Sequence, residues 1–182
     1  MRLFEATVTV LTLMTACVHA DVQPQKDFDL QRFSGKWYRV GIAYDSPAFV
    51  QYRNKIRISM GVLTPLDNGN ANMSMWSQKS NGCLSDVYIY EKTAVPGLFT
   101  YFSARHNRVK DITVVETDYT EYALVLKHKK MNREFTQVAL YGRSQTVKPT
   151  ILEKFREFAL NHGFPKESIL TPQLLDCCPS GQ

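Results

Sequence analysis

Residues 36–44 read KWYRVGIAY, and seven later stretches repeat its character: KIRISMGVL (55–63), ANMSMWSQ (71–78), CLSDVYIYEK (83–92), LFTYFSAR (98–105), KDITVVET (110–117), YALVLKHK (122–129) and FTQVALYGR (135–143). In each, β-branched and aromatic residues interleave with polar ones, as on a strand with one buried face. Turn sequences such as DNGN and VPG separate them. Eight such runs in regular succession predict an all-β protein, an eight-stranded antiparallel up-and-down β-barrel. Closure of the sheet removes its edges and leaves an interior for packed side chains or one small ligand. A single C-terminal α-helix, packed outside, is predicted after the eighth run. Pro149 suits its first turn, Ile151, Leu152, Phe155, Phe158 and Ala159 form one face, and Gly163 fits just past its end.

Residues 1–20, MRLFEATVTVLTLMTACVHA, have Arg2 near the start, an apolar run from about Ala6 to Ala16 and small residues before position 21. That layout predicts a secretory signal peptide, and the run is too short for a membrane span. The expected product is one extracellular domain over residues 21–182. Its formal net charge of +5 comes without an Arg-rich helix, so nucleic-acid binding is disfavoured. In an oxidising compartment Cys83 is expected to bridge to Cys177 or Cys178, which leaves one thiol over for capping or intermolecular pairing. Asn72-Met73-Ser74 is the sole N-x-[ST] sequon. A glycan on Asn72 would face outward, which turns Met73, Met75 and Ser77 inward. His106, His128 and His162 are scattered, and no metal or cofactor is implied.

Gly35-x-Trp37 at the first strand, Thr117-Asp118-Tyr119 after the sixth and Arg143 ending the eighth resemble the three short motifs of the lipocalin family. The resemblance covers the whole mature chain. It implies that Trp37 and Arg143 are structural, a cation–π lid at the closed end, with Asp27–Phe33 as a plug turning Phe28, Leu30 and Phe33 inward. It favours Cys177 as the partner of Cys83. It also implies a small hydrophobic ligand in the cavity, a monomer, an intermolecular disulfide only through Cys178, and room for a cell-surface receptor.

Two branches of the family are similar in detail. VVETDY and LYGR resemble the prostaglandin-D synthases; GKWY, YEKT and LYGR also resemble α1-microglobulin. The synthase reaction needs a cysteine on the second strand, and matching that strand sets Gly61 in its place. The reactive cysteine of α1-microglobulin matches Ser46. No cysteine lies between Cys17 and Cys83, so neither chemistry has its sulfur nucleophile. A binding function is therefore expected. Resemblance to the synthase adds Tyr88, Phe99, Tyr101, Arg105 and Tyr141 to the lining, and Arg39 shares the parity of Trp37 as a candidate anion anchor. An isomerase working without the usual thiol, and a haem or radical scavenger using the spare C-terminal thiol, are the alternatives.

In an up-and-down barrel the turns after odd strands share one end. Those segments hold Arg53, Lys79, Arg105, Arg108, Lys110, Lys127, Lys129, Lys130 and Arg133 against Asp45. Asp67, Glu116, Asp118 and Glu121 lie at the opposite end against Lys92. A basic mouth favours an anionic ligand. Strand two gives two registers. Plain alternation buries Ile56, Ile58, Met60 and Val62, whereas the family register turns Gly61 inward.

Overall fold

The computed structural model describes residues 22–79, 82–104, 107–129 and 135–172. After a short helix α1 (Leu30–Phe33) come eight strands: β1 (Gly35–Tyr44), β2 (Ser59–Pro65), β3 (Ala71–Lys79), β4 (Gly82–Lys92), β5 (Leu98–Ser103), β6 (Arg108–Thr117), β7 (Tyr122–Lys129) and β8 (Phe135–Gly142). Each pairs antiparallel with the next, and β8 returns to β1, closing the barrel. Helix α2 (Pro149–Asn161) follows, and Gly163 just beyond it takes a positive φ of 76°. The eight-stranded barrel with one main helix after it is the architecture the strand pattern predicts.

The second strand is shorter than the run at 55–63. Pro47–Lys55 form a 3-10 helix that opens with proline, and the ladder starts only at Ser59, opposite Arg39. The Arg57 guanidinium donates to the carbonyls of Asn54 and Ile56 and so terminates that helix locally.

Two apolar layers hold the barrel. One fills its floor around Phe33, Trp37, Met73, Phe99, Val114 and Tyr141. The other lies outside, where Ile151, Phe155 and Ala159 of α2 cover Val40, Val138 and Leu140. The register of β1 against β8 shifts between Arg39 and Gly41. This bulge brings Val40 and Gly41 onto the helix side in succession. A Cβ on Gly41 would stand 2.9 Å from the Phe155 ring and 3.0 Å from Leu140, so glycine permits the close approach of α2.

The closed end is organised by Arg143. Its guanidinium lies 3.7 Å from the centroid of Trp37. Its Nε donates to the Tyr119 carbonyl, Nη1 to those of Ser34 and Lys36 at 2.9 Å each, and Nη2 to that of Arg32. The Trp37 indole N–H donates to the Phe33 carbonyl at 2.8 Å. The Asp118 carboxylate accepts the N–H groups of Thr120, Glu121 and Tyr122, and so shapes the turn that carries Tyr119. Phe28 and Leu30 pack with Phe33 on the floor as the plug reading expects. Removing the guanidinium by Arg143→Met would leave these carbonyls unpaired. The expected loss is about 2–4 kcal/mol, read as a lower denaturation midpoint with Trp37 fluorescence as reporter.

Candidate ligand-binding site

Strand parity decides what the interior contains. Trp37 and Arg39 on β1 and Gly61 on β2 share the inward face, because Gly61 is the ladder partner of both Trp37 and Met75. A Cβ on Gly61 would meet the Met75 sulfur at 2.5 Å and Met73 at 3.1 Å. The inward register for Gly61 therefore holds. Ile58 turns outward to the layer beneath α2, while Ser59 and Leu63 are buried on the Gly61 side. Met73, Met75, Phe99 and Tyr141 are buried in the interior layer. Tyr88 and Tyr101 are half-buried there, their rings meeting edge-on at 5.1 Å. Asn72 is half-buried between Thr64 and Ile89 on the outward face. Cys83 is exposed at the start of β4, and Arg105, Cys177 and Cys178 lie outside the described residues.

The largest departure from the sequence reading is Lys127. It was expected on the basic rim, but it belongs to β7, two residues beyond Val125, and points into the barrel. Its ammonium donates to the Tyr141 hydroxyl at 3.0 Å. Arg39 is the ladder partner of both Tyr141 and Ser59, so three strands bring these groups to one level. The Nε of Arg39 and the hydroxyl of Ser59 are buried without a hydrogen-bond partner among the described residues. Leaving such donors unsatisfied costs on the order of 1–3 kcal/mol each.

Two cations inside an apolar barrel shift the neighbouring phenols. Burial works to raise the Tyr141 pKa, but the Lys127 ammonium and Arg39 guanidinium outweigh it and hold it below the ordinary value. Tyr90 is pushed up to about 12 by burial, against the opposing pull of Lys127. Burial also raises Tyr44 and Tyr88 despite the same two cations. Beneath this polar level Phe33, Trp37, Leu63, Met73, Phe99 and Val125, among others, pack into an apolar floor that leaves a void of only about 10 Å³. The site is a level of two cations, a phenol and a hydroxyl set above an apolar floor.

On the rim Arg53 is exposed, and Arg108 and Lys110 are half-buried. At the closed end Glu121 pairs with Lys148 at 2.5 Å and Glu116 with Lys154, so residues at and within α2 neutralise part of the acidic set. Among the described residues no group of three His, Cys, Asp or Glu side chains could hold a metal, and no helix is long and apolar enough to cross a membrane.

A closed eight-stranded antiparallel barrel whose floor is sealed by the Arg143–Trp37 contact defines the class of fold to which the chain belongs. Residues 34–174 match the Lipocalin / cytosolic fatty-acid binding protein family, and the chain belongs to it. This is a fold that binds small hydrophobic ligands. The chain is 35% identical over 172 residues to a lipocalin of Rhinella marina, covering 94% of each. It is 30% identical to prostaglandin-H2 D-isomerase of Canis lupus familiaris, covering 93% of this chain and 90% of that one. It is 34% identical to Protein AMBP of Bos taurus over 95% of this chain and 53% of that protein. Among solved structures, siderocalin Ex-FABP is similar at 26% identity and a TM-score of 0.69, over 80% of this chain and 97% of its own.

Two outcomes follow from this geometry. On alkaline titration Tyr141 should ionise ahead of a free tyrosine and Tyr90 late. Lys127→Met should move the early phenolate absorbance to higher pH. Because folding lowers the Tyr141 pKa, its ionisation adds stability only as pH climbs through that value and nothing at neutral pH. Gly61→Ala should fold with stability within about 1 kcal/mol of the parent by chemical denaturation, since the flexible Met75 end can move aside and alanine loses less backbone entropy on folding than glycine.

Proposed function

We propose that the chain is a secreted carrier that binds a small hydrophobic anion, such as a fatty acid, a retinoid acid or a prostanoid, inside the barrel and releases it unchanged. The observation that carries this reading is the interior placement of Lys127 and Arg39 beside Tyr141 and Ser59, with unsatisfied donors and an apolar floor beneath. A carboxylate is acceptor-only and matches a ring made of donors. It would accept hydrogen bonds from the Arg39 Nε and the Ser59 hydroxyl. Secretion is supported by the N-terminal apolar run and its small-residue boundary. The Cys83–Cys177 bridge and a glycan on Asn72 fit that compartment.

Turnover is not part of this reading. The position matched to the synthase nucleophile is Gly61, and no cysteine lies between Cys17 and Cys83. Wild-type protein given the endoperoxide and glutathione should convert no more than buffer; conversion well above buffer would overturn the carrier reading. A long-chain fatty acid should bind saturably, and its methyl ester at least about tenfold more weakly. Lys127→Met should abolish most of that difference, because it removes a cation that distinguishes acid from ester. Equal affinity for acid and ester in the wild type would sink the anion-binding claim.

A further inference from the structure

The seam between β4 and β5 is the weak point of an otherwise closed barrel. β3 and β4 pair over nine residues, and β5 and β6 over six. β4 and β5 pair only at Glu91–Thr100 and Lys92–Phe99, next to their connecting turn. Continuing that register would set Tyr90 opposite Tyr101 and Ile89 opposite Phe102, yet neither pair forms. Gly82–Val87, the half of β4 beyond the seam, is exposed at every residue, whichever face it belongs to. Unpaired strand backbone is unfavourable unless water or a partner reaches it, so this seam is the least firmly held part of the wall.

The side chains around the seam are apolar. On the outer face Val87 is 62% exposed, Ile89 53%, Phe102 53% and Val109 51%. Phe102 and Val109 are ladder partners, and Val87 and Ile89 flank them across the seam. On the inner face Tyr88 and Tyr101 meet where the pairing stops, their rings 5.1 Å apart and edge-on. The Tyr88 and Tyr101 rings, packed edge-on, are thus all that separates the interior side of the seam from an exposed apolar strip spanning three strands. Such a strip is costly to leave in water and marks a contact surface.

The floor has little room for a long chain. Phe28 lies 5.2 Å from Phe33 and 6.1 Å from Phe99, and Phe33 lies 5.1 Å from Trp37, ring centroid to centroid. The void they leave, about 10 Å³, is far smaller than a small-molecule site.

We propose that the β4–β5 seam is a lateral opening through which the tail of a long-chain anionic amphiphile leaves the barrel and lies along Val87, Ile89, Phe102 and Val109, while its headgroup stays at Lys127 and Arg39. The headgroup position rests on the function proposed above. The ligand class is thereby narrowed to anions with a chain longer than the floor can hold.

The test is octadecanoic acid carrying a nitroxide near its terminal methyl, bound to isotopically labelled protein. Broadening of the Ile89, Phe102 and Val109 amide signals is expected. Broadening confined to Phe33, Trp37 and Met73 would overturn the lateral path while leaving anion binding intact. Absence of saturable binding of unlabelled octadecanoate would overturn both. As a second measurement, the Ile89→Ser/Phe102→Ser variant alters only exposed side chains. It should bind octadecanoate about tenfold more weakly and octanoate as the parent does. Unchanged octadecanoate affinity would refute the outer strip.

Discussion

The guanidinium of Arg143 is the constraint on which the closed end depends. It stacks on Trp37 and accepts no alternative geometry, because four carbonyls from the plug, β1 and the turn before β7 converge on its nitrogens. Those carbonyls lie at the ends of elements, where the strand ladder provides no partner. One side chain on β8 thus satisfies backbone groups from three remote segments and seals the floor without a covalent link. The floor can then be wholly apolar, since its polar accounts are settled outside it.

With the floor sealed, the barrel tolerates charge higher up. Lys127 and Arg39 would be expensive alone in an apolar cavity. Tyr141, Tyr90, Tyr44 and Tyr88 surround them with polarisable hydroxyls, and the opposed directions of the Tyr141 and Tyr90 shifts show how local that field is. The Arg39 Nε and Ser59 hydroxyl have no acceptor among the described residues, which distinguishes the arrangement from a buried ion pair. Affinity and specificity in such a site come from a few convergent donors, with apolar area supplying the remainder.

Much of the fold was legible because period-two patterning recurs in every strand and the closing motifs are local in sequence. Gly35-x-Trp37, Thr117-Asp118-Tyr119 and Arg143 meet in space as their resemblance implied. The interior was harder to read. Arg39 and the methionines follow from parity, but Lys127 sits in KHKK, which reads as a solvated basic loop unless the alternation of Ala123 and Val125 is carried two residues further. Ser59 was hidden by a different ambiguity. The ladder begins late after a 3-10 helix, and residues 55–63 alone allow either phase. The acidic closed end looked uncompensated because its partners Lys148 and Lys154 come from the α2 region, remote in sequence.

The bulge at Val40 and Gly41 has a further consequence for how such a barrel can diversify. It resets the alternation of β1, so the half that frames the floor and the half that frames the mouth are counted independently along the same strand. Substitutions that reshape the rim need not propagate a phase error down to Trp37, and changes to the lid need not rotate Ile42 or Tyr44 off the interior. A single extra backbone residue separates an architectural task from a recognition task within one continuous strand.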